Sequence, residues 1–224
     1  MDQKEESSKD QPGDIHERIN RHPYRHLVGT TIDKESFKKH LAMLYRGTVY
    51  SVKFLKGPSE KYLNSKMLTL PEPKSNYHAN TANRKKFLVL DLDETLIHTV
   101  QPREKSDVVL KLEGMDSLCF TIRPYCLEFL EKMSEHFAIY VFTASTPAYA
   151  TPIIEHLNKK NKTIHGVLSR PHCMETRNGT VVSHSGFYIK DLRIIKNRNL
   201  KDIVMVDNLV HSFGLQIDNG IPIL

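Results

Sequence analysis

The chain has no tryptophan and only three cysteines, Cys119, Cys126 and Cys173, in 224 residues. None of them stands in a Cys-x-x-Cys spacing. The sequence therefore offers neither a disulfide framework nor a zinc signature, and free thiols suit the cytosol or nucleus. Long apolar runs are also missing, so no membrane span is expected. The polar start Met1-Asp2-Gln3-Lys4-Glu5-Glu6 lacks the apolar core of a secretory signal and the Arg-rich, acid-poor pattern of a transit peptide. His98, His172, His184 and His211 form no metal-ligand spacing and read as ordinary polar residues.

At 39% hydrophobic and 26% charged, the chain can build one core and carry an arm. Its net charge of +6 is unevenly placed: 17 of the 32 basic and 10 of the 26 acidic residues precede Phe87, which leaves the remainder near −1. The basic excess thus belongs to the first 85 residues, and no direct contact with nucleic acid is expected. Residues 1–85 read as an N-terminal arm and linker. The first 25 have the composition of a disordered segment. Across 33–55, Phe37, Leu41, Leu44, Thr48 and Val52 share a helical face that Asp33 can cap. Ser59 to Arg84, with Pro71 and Pro73, reads as a linker.

Three apolar runs of strand length organise the rest. Phe87-Leu88-Val89-Leu90 ends in Asp91-Leu92-Asp93-Glu94-Thr95. Ala138-Ile139-Tyr140-Val141-Phe142 ends in Thr143-Ala144-Ser145, and Ile203-Val204-Met205-Val206 ends in Asp207-Asn208. Such runs suit strands buried on both faces. Helical patterns lie between them: Leu127, Phe129, Leu130 and Met133 after Pro124, then Ile153, Ile154 and Leu157 near Pro152. Alternating strands and helices predict an α/β fold, a Rossmann-like parallel sheet with flanking helices. Ligands of such sheets bind beyond the carboxyl ends of the strands, where each run delivers polar residues. Two carboxylates one residue apart on a strand tip suit a divalent cation and phosphoryl chemistry.

Asp91-Leu92-Asp93-Glu94-Thr95-Leu96 resembles the first signature of the haloacid dehalogenase superfamily of phosphohydrolases. Its Glu resembles the branch typified by phosphatases of the RNA polymerase II C-terminal domain. Phe142-Thr143-Ala144-Ser145 resembles the second signature, Arg170 to Cys173 the family's Arg-x-x-Cys segment, Tyr188 to Leu192 the Lys-bearing third, and Val206-Asp207-Asn208 the fourth. The likeness runs in family order over 86–224.

The resemblance implies a Mg²⁺-dependent phosphatase of phosphoserine and phosphothreonine. Asp91 is its nucleophile and Asp93 its acid and base. Lys190 and Thr143 hold the phosphate, and Asp207 supports the site. The implied metal ligands are the Asp91 carboxylate, the Asp93 main-chain carbonyl and Asn208. Arg170 is an implied substrate contact. The implied partner is a phosphorylated protein, with the RNA polymerase II C-terminal domain or a similar disordered segment as a candidate, in the nucleus or cytoplasm. A phosphoprotein-binding adaptor without activity and a small-molecule phosphatase are the competing readings.

Neither gap between the motifs holds a full cap domain. About Val100 to Ile122 reads as a small β insertion with strands at Val108-Val109-Leu110 and Leu118-Cys119-Phe120 and a turn near Glu113 to Asp116. Its apolar residues would serve either as a pocket for a residue flanking the phosphate or as the insertion's own core. Cys173 reads as a packing residue. Leu209-Val210 stands where relatives often carry Ser-Pro, Thr151 where they often carry Asp, and the chain reads as lacking their usual closing segment after Ile221-Pro222-Ile223.

Overall fold

A computed structural model describes residues 57–73, 84–111, 117–176 and 187–223. In chain order it contains helix α1 (Glu60–Lys66) and strands β1 (Lys86–Leu90), β2 (Ile97–Val100), β3 (Val108–Leu110) and β4 (Leu118–Ile122). Helix α2 (Cys126–His136), strand β5 (Phe137–Phe142), helix α3 (Pro147–Asn158) and strand β6 (Ile164–Leu168) follow. Strands β7 (Met174–Thr176), β8 (Phe187–Ile189), β9 (Ile203–Asp207) and β10 (Gly220–Pro222) complete it. The expected helix at 33–55 and the Glu113–Asp116 turn lie outside the described residues.

The three apolar runs are β1, β5 and β9, and they are neighbours in a five-stranded sheet of order β10-β9-β1-β5-β6. All its pairings are parallel. Alternation along β1 sends Leu88 and Leu90 to one face and Phe87 and Val89 to the other. The first face packs with Ile139 and Val141 of β5, Leu130 of α2 and Ile153 of α3. The second gathers Tyr140, Phe142, Ile203, Met205 and Phe213. From β1 the chain crosses to β5 and β6 on one side, while β9 and β10 lie on the other. The reversal of order falls between β1 and β9, where crevices open at the carboxyl ends of such sheets.

Helix α2 begins at Cys126, two residues after Pro124, because Tyr125 turns the chain at φ 62°. Phe129 of this helix is exposed, so the expected apolar face narrows to Cys126 and Leu130 with partly buried Leu127 and Met133. Helix α3 starts at Pro147, five residues earlier than Pro152 suggested; Pro147 occupies the first turn, where a missing N–H costs nothing, and Pro152 sits inside the helix.

The β insertion exists as an antiparallel sheet of order β2-β4-β3. Both expected strands are present, and β2 adds a third that follows directly from the first motif. Val108, Phe120 and Ile122 point into the first core cluster, so these side chains serve as core.

The linker reading fails for Ser59 to Pro73. Ser59 caps α1 by accepting from the Tyr62 N–H at 3.3 Å. Leu68 bridges Ile195 in parallel, Leu70 is buried, and Pro71 accepts from the Tyr140 hydroxyl at 2.5 Å. Asn197 donates to the Leu70 carbonyl at 2.9 Å, and Arg198 forks onto Glu72 at 2.6 and 2.8 Å. Two prolines favour extended backbone, and here that backbone is a strap laid on the second core rather than a spacer. Truncating Leu70→Ala is expected to lower unfolding free energy by about 2–4 kcal/mol, measured by urea denaturation; an unmoved midpoint would return the segment to a linker.

On β6, His165 stands beside the Tyr140 ring, and its buried Nδ1 has no hydrogen-bond partner among the described residues. Burial lowers its pKa, and burial followed by Lys159 lowers that of His156. Both are neutral in the fold and accept protons more readily when unfolded. Their contribution is complete above the ordinary histidine value of about 6.5 and is lost as pH falls through it. Urea midpoints should therefore decline from pH 7.5 to 5.5, and the decline should be smaller in His165→Gln; an equal decline would clear His165.

Candidate active site

The first motif leaves β1 with its ladder intact for one more residue: the Asp91 N–H donates to the Val206 carbonyl at 2.9 Å. Leu92 is fully buried and pins the turn that follows, its carbonyl accepting from the N–H groups of Leu96 at 2.9 Å and Ile97 at 3.1 Å. To make this turn Glu94 adopts φ 59°, a left-handed conformation that costs a non-glycine residue about 1–2 kcal/mol. The conformation persists because the surroundings hold it. Arg123, at the end of β4, donates to the Thr95 carbonyl at 2.5 Å and the Glu94 carbonyl at 2.6 Å, and the Glu94 carboxylate pairs with His98.

Beneath the turn lies a buried charge triad. Lys190 follows β8, and its main-chain N–H donates to Ser212 at 2.7 Å. Its ammonium reaches Asp91 Oδ1 at 2.5 Å and Asp207 Oδ2 at 2.6 Å. The side chains of Lys190 and Asp207 are 2% and 0% exposed, so water cannot solvate them and each needs the other. Thr95 donates to Asp91 Oδ2 at 3.0 Å, and the Leu209 N–H donates to Asp207 Oδ1 at 2.7 Å. Burial opposes the Lys190 ammonium, yet the fields of Asp91 and then Asp207 outweigh it and carry its pKa upward. Burial pushes the Asp207 carboxyl up to about 6 against the attraction of Lys190.

Asp93 sits at the rim, two residues beyond Asp91, in a different environment. Tyr149 donates to its Oδ1 at 2.5 Å and Ser145 to its Oδ2 at 2.8 Å. Burial raises its pKa, the hydrogen bonds from Tyr149 and Ser145 oppose the rise, Asp91 adds to it and Lys190 subtracts, with a net upward shift. Two carboxylates of one motif thus face opposite tasks: Asp91 lies against a fixed cation, and Asp93 is biased toward holding a proton.

The other candidates border the same opening. Thr143 is buried at the end of β5; its hydroxyl accepts from the Ser145 N–H at 3.0 Å and donates to Asp93 Oδ2 over a long 3.5 Å. Asn208 ends β9. Asp91, Asp93, Thr143, Lys190, Asp207 and Asn208 all line one pocket of about 480 Å³. Arg170 does not line it. Its Nε donates to the Ala144 carbonyl at 2.7 Å and its guanidinium lies 5.1 Å from the Tyr188 ring centre, and both of those residues do line the pocket. The β insertion contributes none of the described lining residues.

Cys173 packs in the second core, 3.6 Å from the Thr143 carbonyl, with its thiol pushed up to about 11 by burial, so it is no nucleophile here. His211 lines the pocket, and burial with the charge of Lys190 lowers its pKa. His184 lies outside the described residues.

The oxygen donors suit a hard cation. Among the described residues no group of three His, Cys, Asp or Glu could cage a metal. A carboxylate, an amide side chain and a main-chain carbonyl at one pocket match an ion that keeps most of its waters.

Ser145, Tyr149 and Arg123 were not assigned roles from sequence. Tyr149 had a usable signal: it lies in the first turn of the helix that follows Thr143, and a helix starting at the carboxyl edge of a sheet presents that turn to the crevice. Arg123 had none, because it binds carbonyls across the fold.

Comparison with known proteins shows the family. Residues 86–224, from β1 onward and including every residue just described around the pocket, match the family model of the NLI interacting factor-like phosphatases. The chain is 38% identical over 145 residues to CTD small phosphatase-like protein 1 of Caenorhabditis elegans, covering 63% of this chain and 28% of that one. It is 36% identical over 147 residues to phosphatase Herzog of Drosophila melanogaster, covering 64% and 39%. With nuclear envelope morphology protein 1 of Schizosaccharomyces pombe the identity is 33% over 180 residues, covering 75% and 35%. The chain therefore spans well under half the length of these relatives. Among solved structures, a variant of the fission yeast RNA polymerase II CTD phosphatase Fcp1 bound to beryllium fluoride aligns with a TM-score of 0.47 at 21% identity, covering 62% of this chain and 41% of that one. From β1 to β10, this chain belongs to the NLI interacting factor-like phosphatase family.

Proposed function

We propose that the chain is a Mg²⁺-dependent protein phosphatase that removes phosphate from phosphoserine and phosphothreonine through an aspartyl-phosphate intermediate. The observation that carries this reading is the 2.5 Å contact of Lys190 with Asp91 in a pocket whose rim holds a second, proton-biased carboxylate, Asp93. Uncatalysed hydrolysis of a phosphate monoester is slow enough that the site must remove on the order of 20 kcal/mol of barrier, and a covalent route divides that task.

In the first step Asp91 attacks phosphorus and the bond to the substrate oxygen breaks, that oxygen taking the proton of Asp93. In the second, Asp93 takes a proton from water, whose oxygen attacks phosphorus and returns Asp91 as a carboxylate. Lys190 neutralises the transferring phosphoryl group, and Thr143, whose hydroxyl makes only a long 3.5 Å bond to Asp93, turns to donate to one of its oxygens. Asp207 fixes Lys190. Asp91, the Asp93 carbonyl and Asn208 would hold Mg²⁺, which would neutralise phosphate charge and polarise the reacting centre. Arg170, stacked on Tyr188, is placed for substrate flanking the phosphate.

A protein substrate is supported by small insertions that add no lining residue over the pocket among the described residues. Names of relatives add a candidate, the RNA polymerase II C-terminal domain or a similar disordered segment. They also support a nuclear setting over a cytoplasmic one. No helix among the described residues is long and apolar enough to cross a membrane.

The deciding experiment is hydrolysis of an aryl phosphate and of phosphoserine peptides, with and without Mg²⁺. Asp91→Asn should lose at least about a thousandfold in kcat, and chelation should abolish turnover. Folded protein without Mg²⁺-dependent turnover would favour a binding adaptor, and turnover of metabolite phosphates alone a small-molecule enzyme. Asp93→Asn should cost about 10²–10⁴-fold, more for a poor leaving group that needs the proton than for an aryl one. Tyr149→Phe, which frees one oxygen of Asp93, should lower kcat about tenfold with KM nearly unchanged; a change confined to KM would make Tyr149 a substrate contact instead.

A further inference from the structure

At the opposite end of β1 from Asp91 lies a second opening, about 660 Å³, that the proposed reaction does not use. Its lining includes Arg84, Lys86, Lys196, Arg198 and Lys201, with Asp202 the single acid among the described lining residues. The groups come from two stretches far apart in sequence: the approach to β1, with Arg84 and Lys86, and the run from Lys196 to Asp202 that leads into β9. Their convergence is therefore a product of the fold. Arg198 is spoken for by Glu72 and lies 4.2 Å from the Phe87 ring centre, so it is a fixed wall of the groove. Arg84, Lys86, Lys196 and Lys201 are exposed and free of ion pairs with the described residues.

We infer that this groove binds an acidic stretch of the substrate polypeptide, some distance along the chain from the phosphorylated residue; the inference rests on the phosphoprotein reading of the catalytic pocket. Four unpaired cations beside one acid repel one another, and anionic side chains relieve that repulsion. Among the described residues the lining holds no aromatic ring on which a nucleobase could stack, which disfavours single-stranded nucleic acid. It is concave and, among the described residues, presents no large apolar side chain to insert into a bilayer, which disfavours a membrane surface. The five residues of β1 separate the groove from the nucleophile, about 17 Å in a straight line at 3.3 Å per residue. A path around the domain is longer, so a spacing of about ten residues connects the two sites. The groove would tether a disordered substrate while one phosphorylated residue samples the pocket, raising its effective concentration there.

The test uses the full chain and two peptides, each with one phosphoserine followed about ten residues later by either a run of four Asp/Glu or the same run as Asn/Gln. Wild type should show a KM about tenfold lower for the acidic peptide. The double variant Lys196→Glu/Lys201→Glu should lose that preference and keep wild-type turnover of an aryl phosphate. The same charge change at exposed Lys159 and Lys160 should leave the preference intact. High salt should erase the preference in wild type. Equal KM for the two peptides in wild type, or loss of preference in the Lys159/Lys160 control as well, overturns the proposal. So does tighter groove-dependent binding of an RNA oligonucleotide or of phosphatidylserine vesicles. If the aryl phosphate is not hydrolysed at all, the phosphatase reading fails by itself; fluorescence anisotropy of the two labelled peptides then still decides the groove.

Discussion

An ammonium group shut away from water between two carboxylates is the constraint around which this domain is arranged. Lys190 arrives from β8, Asp91 from β1 and Asp207 from β9, and none could be buried alone without a penalty of several kcal/mol. Their meeting holds the carboxyl ends of β1 and β9 together where the strand order reverses. It leaves Asp91 oriented, with Lys190 on one carboxylate oxygen and Thr95 on the other. The interaction that makes the site chemically competent is the same one that makes burial of its charges tolerable.

The rim is built on a different principle. Glu94 turns the chain in a left-handed conformation, Leu92 anchors the turn from below, and Arg123 grips its carbonyls from the insertion. Asp93 is thereby lifted to the edge of the pocket, where Tyr149 and Ser145 hold both of its oxygens. The insertion's part in the site is thus indirect: it fills the core with Phe120 and Ile122 and steadies the first motif through Arg123. The pocket is lined instead by the segments around Thr143, Tyr188 and Asn208.

The far side of the sheet shows how a stretch of linker composition becomes structural. Residues 59–73 cover Tyr140 and the turn that ends at Ile194 and Ile195, and Glu72 locks Arg198. Asn197 and Arg198 in this lock also border the basic groove. The strap, the second core and the groove are therefore one mechanical unit, joined to the catalytic edge by β1 and β9.

Much of this was legible from local pattern. The runs at Phe87, Ala138 and Ile203 announce central strands because both faces of a parallel sheet are buried, and the polar residues at their ends mark the edge that carries chemistry. That logic reached Asp91, Asp93, Thr143, Asp207 and Asn208, and family likeness added Lys190. Short or half-buried elements escaped it: β2, β6 and β10 have no unbroken apolar run, and Pro71 and Pro73 resemble a spacer until something is seen to lie beneath them. Whether Phe120 lines a pocket or fills a core also could not be read from its type. By itself the sequence determined which strands are central and which chemical groups stand at their ends, since burial and period are local properties of the chain. Only the tertiary structure decided that Lys190 bridges Asp91 and Asp207, that Tyr149 and Ser145 hold Asp93, and that Arg123 holds the turn. Those contacts join residues from 17 to 99 positions apart through distance and direction, and no one-dimensional pattern encodes either.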